Sequence, residues 1–275
     1  MQNPMYLSNK NYLKTMRLLI YLRAAKEQSY ELMYHHKLQG FIYGLLKDSG
    51  FGTLHDKEGY KFFCFSNIFP IGDMEEGKIL KLLVASPNEK LIESLEAPLQ
   101  DLSADKRRIN IGEMSFEVVG LKKLEIKLKS RDLRVITATP VIIRIPERNY
   151  ERYGIPKEER KARYVYWRPK YSFEAFLKQL SENLIKKFND FYGTKLSEYE
   201  LFEQFVFRRV TATKVVIDGR EYVLVGSMWG FQWSYMDETQ RRILEFGLDA
   251  GFGERNSLGF GFVNKISSEK KFLAV

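Results

Sequence analysis

Residues 251–261, which read GFGERNSLGFG, constrain the fold of this chain more than any other stretch. Two Gly-Phe-Gly units stand on either side of a polar and charged segment, 254–258. Glycine loses much backbone entropy on folding, so such a cluster is expected where the backbone needs positive φ angles or approaches another group closely. A helix-like pattern precedes this glycine loop and a strand-like pattern follows it. The sequence therefore predicts a tight connection between a helix and a strand.

The composition of the glycine loop is typical of an anion-binding site, because backbone N–H groups and an arginine can together bind a phosphate. A P-loop is excluded, since no Gly-Lys-Ser/Thr follows, and a dinucleotide fingerprint is excluded, since Asn256 stands at the third glycine position. A tight turn with no ligand is the alternative. The candidate phosphate contacts are Gly251, Gly253, Arg255, Asn256, Gly259 and Gly261.

The chain is basic, with a formal net charge of +9 and a pI near 9.3. Residues 122–134 carry six basic and two acidic side chains, and residues 144–170 carry nine basic and four acidic ones. The second segment also contains five tyrosine and tryptophan residues. Cations bind phosphates and aromatic faces stack on unpaired bases, so this mixture suits single-stranded nucleic acid, with Arg163 and Arg168 as candidate contacts. A solvated surface of paired charges is the alternative.

Cysteine and histidine usage exclude several classes of protein. The single cysteine, Cys64, rules out a disulfide framework and a cysteine-rich zinc site, which fits a cytoplasmic protein. His35 and His36 are adjacent and have no accompanying carboxylate pattern, so we expect no metal and no cofactor. No apolar run is long enough to cross a membrane, and residues 1–15 lack the apolar core of a secretory signal.

The order of predicted elements indicates an α+β fold built from two similar halves. In the first half, strand patterns occupy residues 16–23, 60–68, 79–85 and 116–128, and helix patterns occupy residues 34–47 and 89–102. In the second half, strand patterns occupy residues 135–145, 204–216, 222–233 and 260–266, and helix patterns occupy residues 172–192 and 237–248. We therefore predict two tandem ferredoxin-like (βαββαβ) domains, 16–130 and 131–275, preceded by an extension, 1–15.

Several residues mark element boundaries in the second half. Pro140 interrupts the strand pattern 135–145, which predicts an edge position or a bulge. Gly193 is a candidate helix C-cap, and Asp237 with Gln240 forms a capping box. Asp218-Gly219 predicts the turn of a hairpin, and residues 148–161 form a polar insertion followed by a short strand, 163–167.

The first helix presents two faces. Helical spacing predicts that one face packs on the core and that the opposite face points outward. The core face comprises Leu38, Phe41, Ile42 and Leu45, and the outward face comprises His36, Tyr43 and Lys47.

A basic chain with this element order, ending in helix, GFGERNSLGFG and strand, resembles the CRISPR-associated repeat-processing endoribonucleases of the repeat-associated mysterious protein (RAMP) superfamily. The family motif is Gly-hydrophobic-Gly, about five residues, Gly-hydrophobic-Gly, and the chain fills every position. The resemblance also covers residues 38–43, the pair Leu54-His55 followed by Lys61, and residues 139–141. It extends over nearly the whole chain, with residues 1–15 outside it.

The resemblance implies a metal-independent enzyme that cuts CRISPR precursor transcripts within each repeat and leaves 2′,3′-cyclic phosphate and 5′-hydroxyl ends. It implies Tyr43, His55 and Lys61 as catalytic residues. Other members place a histidine on the first helix, so His36, and less readily His35, is an alternative. The implied partners are single-stranded or weakly structured CRISPR repeat RNA and a CRISPR effector complex. A non-catalytic repeat-RNA-binding subunit of such a complex is the alternative function.

The chemistry of this cleavage requires the same types of residue. Attack by the 2′-hydroxyl of RNA requires a group that accepts its proton, a group that protonates the leaving 5′-oxygen, and a cation. His55 suits the general acid, since histidine has a pKa near about 6.5, and Lys61 would stabilise the charge on phosphorus. Tyr43 has an ordinary pKa of about 10, so a base role at pH 7 requires roughly 4 kcal/mol of stabilisation of its anion. Orientation of the 2′-hydroxyl is the alternative role.

Overall fold

The structure, a computed structural model, describes residues 16–126, 128, 131–217 and 219–266. The predicted extension 1–15, Asp218 of the predicted hairpin turn, and residues 267–275 lie outside the described residues. Three positions of the basic segment 122–134, namely 127, 129 and 130, also lie outside them. Within the described part the chain forms eleven β-strands and four α-helices.

The first half forms a five-stranded antiparallel sheet in the order β2-β3-β1-β5-β4, with two helices packed against it. The strands are β1 (Met16–Ala24), β2 (Cys64–Phe65), β3 (Ile79–Ser86), β4 (Arg108–Ile111) and β5 (Met114–Leu124). The helices are α1 (His35–Leu46) and α2 (Glu89–Ala104). Alternate side chains of β1, from Leu18 to Leu22, are buried in one core with Leu38 and Ile42 of α1 and with α2. This core fixes α1 against the sheet.

The second half forms a four-stranded antiparallel sheet in the order β11-β6-β10-β9. Its elements in chain order are β6 (Leu133–Thr137), β7 (Arg144–Pro146), β8 (Tyr164–Tyr166), α3 (Phe173–Tyr192), β9 (Gln204–Ile217), β10 (Arg220–Trp233), α4 (Glu238–Ala250) and β11 (Val263–Lys265). β7 and β8 pair only with each other and carry the insertion 147–163 between them. A second core, rich in aromatic rings, lies between this sheet and the helices α3 and α4.

Two strand predictions were too long. The pattern 60–68 yields only Cys64–Phe65, because Phe62 has a φ of +52° and its ring packs on Phe191 of the second half, with 5.0 Å between ring centroids. The pattern 135–145 splits after Thr137. Beyond the break, Val141 bridges to Ser227 and the chain then enters the separate β7–β8 pair. Proline lacks the N–H that would continue the ladder at 140.

Two further predictions need correction. The final strand is shorter than 260–266, because residues 260–262 belong to the glycine loop and pairing begins at Val263. In α1 the buried stripe is Leu38, Ile42 and Leu46 together with His35, whereas Phe41 and Leu45 are half-buried. Because the buried residues recur every four positions, the buried stripe extends to Leu46. The face of the helix that bears Tyr43 is therefore partly buried.

A buried ion pair links the two halves. The Arg17 Nε of β1 donates to Asp249 Oδ1 of α4 over 2.8 Å, and the two side chains are only 2% and 1% exposed. The same guanidinium also donates to the carbonyl oxygens of Leu248 and Val263. Removal of one partner of such a pair typically costs about 3–5 kcal/mol, because the other charge stays buried and unpaired. Arg17 thus fixes the end of α4, and hence the glycine loop, against the first sheet.

Candidate active site and nucleic-acid interface

The glycine loop is a compact turn whose four glycines all have positive φ angles. All four are also close to neighbouring atoms, and the space is tightest at two of them. A Cβ at Gly259 would overlap the ring of Phe65, and a Cβ at Gly261 would overlap the carbonyl oxygen of Phe252. The glycines therefore allow the loop to pack against β2 and to fold back on itself.

Lys187 of α3 holds the glycine loop from inside. Its side chain is 1% exposed, and its Nζ donates to the carbonyl oxygens of Gly251 and Gly253 and, over 3.0 Å, to Asn256 Oδ1. Asn256 Nδ2 donates to the carbonyl oxygens of two loop phenylalanines. Burial lowers the pKa of Lys187 to about 7. The sequence analysis missed this residue, although a lysine within the apolar stripe of α3, three residues after Leu184, could have revealed it.

Most polar groups of the glycine loop bind other groups of the protein, and RNA contact by the loop stays a prediction. The amides of Gly251, Gly259 and Gly261 each donate to a protein carbonyl oxygen, at 2.9 Å, so they are not free for an anion. The side-chain oxygen of Asn256 accepts from Lys187, and its side-chain nitrogen donates to carbonyl oxygens within the loop. Lys187 also donates to carbonyl oxygens of the loop. Among the predicted contacts in the loop, only Arg255 has an exposed side chain.

The glycine loop packs directly on α1. Gln39 Nε2 donates to the carbonyl oxygen of Ser257 over 2.9 Å and to its hydroxyl over 3.2 Å. The ring of Phe260 stacks on His35, with 5.5 Å between centroids and 17° between planes. One turn along the helix, Tyr43 is within hydrogen-bonding reach of the side chains of Ser257 and Gln39. Residues from opposite ends of the sequence therefore form one site.

The structure brings Tyr43, His55 and Lys61 together. The rings of Tyr43 and His55 meet edge to face, with 5.2 Å between centroids. His55 ends a short 3₁₀ helix, Gly52–His55, and Lys61 Nζ donates to the carbonyl oxygens of Leu54 and His55 over 2.7 and 2.8 Å. The lysine thus satisfies the free carbonyls of the 3₁₀ helix that carries the histidine.

The surroundings of the three side chains differ. The His55 side chain is 67% exposed, and its Nδ1 lies 3.0 Å from Asp56 Oδ1. Partial burial lowers the pKa of Lys61, and the charge of Asp56 opposes that shift. Burial raises the pKa of Tyr43 above its ordinary value, and the hydrogen bonds with Ser257 and Gln39 offset this only in part. The Tyr43 hydroxyl therefore keeps its proton near neutral pH.

The two histidines of α1 occupy different environments. His35 is 7% exposed and lies between the rings of Tyr34 and Phe260. Burial lowers its pKa to about 4, so the ring is neutral near pH 7 and unsuited to act as a general acid. His36 is half-buried, two turns before Tyr43 on the same helix face, and stays the alternative candidate.

A cleft of about 670 Å³ adjoins the site. It lies between residues 59–63, the β7–β8 pair, α3 and the glycine loop, and Lys61 and Ser257 line its end nearest Tyr43. Arg163 and Arg255 line the same cleft, so the structure brings these two predicted RNA contacts together. Arg168 lines a neighbouring groove of about 630 Å³, which it shares with Arg163. The described residues include no cluster of three histidine, cysteine, aspartate or glutamate side chains able to hold a metal ion.

No helix in the part of the chain that the structure describes has the length and apolar character needed to cross a membrane.

Comparisons with known proteins identify the family. Residues 121–265 match the family model described as CRISPR associated protein Cas6, C-terminal. The chain is 36% identical to the CRISPR-associated endoribonuclease Cas6 of Haloferax mediterranei, over 93% of this chain and 95% of that protein. It is 32% identical to the CRISPR-associated endoribonuclease Cas6 2 of Methanocaldococcus jannaschii, over 91% of this chain and all of that protein.

A solved structure described as "An RAMP protein binding different RNA substrates" has the same fold. It superposes with a TM-score of 0.68 at 21% identity, over 92% of this chain and 100% of that one. The sequence matches define a CRISPR-associated protein, as the sequence resemblance implied. Within that class, the chain belongs to the Cas6 family of CRISPR-associated proteins.

Proposed function

We propose that this chain is a metal-independent endoribonuclease that cleaves CRISPR precursor transcripts within their repeats. The observation that carries the proposal is the cluster of Tyr43, His55 and Lys61 beside the glycine loop in a chain of the Cas6 family. A tyrosine hydroxyl, an imidazole and an ammonium group are the side chains that attack by a 2′-hydroxyl requires.

Each residue has a separate role in the proposed reaction. Tyr43 orients the 2′-hydroxyl for attack on the adjacent phosphorus. Lys61 stabilises the charge that builds on the phosphoryl oxygens, and the exposed imidazole of His55 protonates the departing 5′-oxygen. The products are then a 2′,3′-cyclic phosphate and a 5′-hydroxyl. A proton acceptor for the 2′-hydroxyl is still required, and His36, two turns from Tyr43 on the same face of α1, is the proposed candidate.

RNA is proposed to run from this site along the basic cleft. Arg163 and Arg255 line the cleft, and Arg168 follows in the groove beside it. Three arginines along one path suit the phosphates of a single strand or of a weakly structured repeat. A solved structure of the same fold is described as a RAMP protein that binds different RNA substrates, which supports RNA binding by this chain. A CRISPR effector complex stays a predicted partner.

We also propose two tandem ferredoxin-like domains, with the boundary near residue 130. In each half, the first and third strands of the βαββαβ order pair in the middle of an antiparallel sheet, and the second and fourth strands flank them. Each helix connects two strands that are not neighbours in the sheet. The separate cores of the two halves support the same division. The short strand β4 is an addition to the first unit, paired only with β5.

The proposed function is tested with purified protein and a labelled repeat RNA from the source organism, in buffer containing EDTA. We expect one cut within the repeat and product ends that carry a cyclic phosphate on one side and a 5′-hydroxyl on the other. Tight binding without a cut would contradict the proposal and would indicate a non-catalytic repeat-binding subunit.

A further inference from the structure

The cleft beside the candidate active site has features that phosphate binding alone does not explain. Its volume of about 670 Å³ exceeds what one phosphate needs and suits a whole nucleotide. Lys61 and Ser257 line the cleft and also contact the site around His55 and Tyr43. A nucleotide held in the cleft would therefore be next to the phosphate that reacts.

Two arginines at the cleft share an unusual backbone conformation. Arg163 has a φ of +95° and Arg255 a φ of +59°, in the region that favours glycine. Such conformations typically cost about 1–3 kcal/mol and cluster at ligand-binding sites. Both side chains are exposed, and neither forms an ion pair with another described residue. Arg144, by contrast, pairs with Glu254 at the same cleft.

An aromatic ring lies between these charges. Tyr164 lines the cleft, and the Arg144 guanidinium lies over its ring, 4.5 Å from the centroid. Burial opposes ionisation of Tyr164, yet the hydrogen bonds from Arg144 and Tyr166 and the charges of Arg144 and Arg255 lower its pKa. A ring in a positive surrounding, beside exposed arginines, is the arrangement on which an unpaired base stacks.

Two amides of α3 complete the lining. Gln179 and Asn183 are one helical turn apart and both line the cleft. Gln179 Nε2 and Asn183 Oδ1 are buried and have no hydrogen-bond partner. A buried polar atom without a partner typically costs about 1–3 kcal/mol, so such atoms require an explanation. An amide donor and an amide acceptor are the types of group that hydrogen-bond to the edge of a nucleobase.

We propose that this cleft is a specificity pocket for one unpaired nucleotide adjacent to the scissile phosphate. Arg163 and Arg255 bind its phosphate, Tyr164 stacks on its base, and the amides of Gln179 and Asn183 recognise the base edge. The pocket would make cleavage depend on base identity at a single position of the repeat. The inference rests on the proposed function, because it places the pocket beside the reacting phosphate.

The test combines base substitution in the RNA with shape-conserving substitution in the protein. Synthetic repeat RNA carries each of the four bases, or an abasic nucleotide, at one position at a time. Equilibrium binding and cleavage rate are measured for the wild type and for the double variant Gln179→Met, Asn183→Leu. Because these side chains have buried polar atoms without partners, the apolar replacements should leave the melting temperature unchanged or raise it. Lys178→Met is the matched control, since Lys178 pairs with Glu198 outside the cleft.

We expect the wild type to discriminate by about tenfold or more at one position near the cut. The double variant should lose the preference among the four bases, while abasic RNA should still bind more weakly than intact RNA because stacking on Tyr164 is lost. Lys178→Met should keep the wild-type profile. The proposal is overturned if the double variant retains the profile, or if the wild type shows no position of base preference in binding. Absence of cleavage together with a binding preference that the double variant loses would contradict the proposed function but support the pocket.

Discussion

Gln39 Nε2 on α1 donates to the carbonyl oxygen of Ser257 over 2.9 Å, although the two residues are 218 positions apart in the chain. This contact fastens the glycine loop to the helix that carries Tyr43. The loop is itself held by Lys187, and the end of α4 that leads into it is held by Arg17. Residues of both halves therefore hold the candidate active site in place, although all three proposed catalytic residues belong to the first half.

Replacement of His55 by alanine should abolish most of the cleavage and leave RNA binding intact. Loss of a general acid typically lowers the rate by about 10²–10⁴. The His55 side chain is exposed, so the melting temperature should not change. Single-turnover cleavage of repeat RNA is the measurement, with RNA affinity measured on the same preparation. A rate within a few fold of the wild type would remove His55 from the mechanism.

Tyr43→Phe distinguishes orientation from proton transfer. Since burial raises the pKa of Tyr43, we expect no phenolate near neutral pH. The variant should lose about tenfold in rate and keep the shape of the wild-type pH–rate profile. Disappearance of an ionisation from the profile in Tyr43→Phe would instead identify the tyrosine as the base.

Lys187→Met should destabilise the glycine loop and reduce cleavage. The variant leaves three acceptors without a donor, each at a typical cost of about 1–3 kcal/mol. Because the loop that places Ser257 against α1 would lose its internal hydrogen bonds, the cleavage rate should fall as well. Urea denaturation and a cleavage assay on the same protein test both effects, with Lys178→Met, on the same helix but outside the cleft, as the control.

The same lysine predicts a pH dependence of stability with a defined sign. Burial lowers the pKa of Lys187 to about 7, from an ordinary value of about 10.4, so the unfolded chain binds its proton more tightly. The free energy of unfolding of the wild type, relative to Lys187→Met, should therefore rise as the pH increases from 7 to 10, by up to about 1.4 kcal/mol per pH unit. A difference that stays flat or falls over this range would contradict the assignment.

Charge reversal at Arg163 should weaken RNA binding and flatten its salt dependence. Loss of one phosphate contact reduces the slope of log K against log salt by about 1. Arg168→Glu should act in the same direction, because Arg168 lines the adjoining groove. Lys178→Glu serves as the control outside both grooves. Unchanged affinity and slope in Arg163→Glu would exclude the cleft from the RNA path.

Local signals in the sequence predicted much of the fold. The C-cap at Gly193 is confirmed by its left-handed φ of +64°. Half of the predicted capping box is confirmed, since the Gln240 N–H donates to the Asp237 side chain, whereas the Gln240 side chain donates to the carbonyl oxygen of Leu201. Caps, alternation and helical periodicity involve neighbouring residues, so they can be identified without knowledge of the tertiary structure. Helix α3 and strands β9 and β10 were accordingly predicted to within a few residues.

Contacts between distant segments could not be predicted in this way. The glycines were interpreted as an open anion cradle, because nothing in the local sequence shows that Lys187 occupies the space among their carbonyl oxygens. The strand predicted at 60–68 was too long for a similar reason. The ring of Phe62 packs on Phe191, and a contact between such distant residues cannot be predicted from the local sequence. A high density of aromatic residues predicts that a segment is buried, but it does not predict which segment packs against it.

The most direct test of the account is cleavage of a repeat RNA that carries a single 2′-deoxynucleotide immediately 5′ of the scissile phosphate. Because the attacking nucleophile is the 2′-hydroxyl of that nucleotide, we predict that cleavage of this RNA is undetectable in EDTA while its affinity stays within about twofold of the unmodified repeat. Cleavage of the deoxy-substituted RNA at the same position and at a comparable rate would contradict the proposed mechanism.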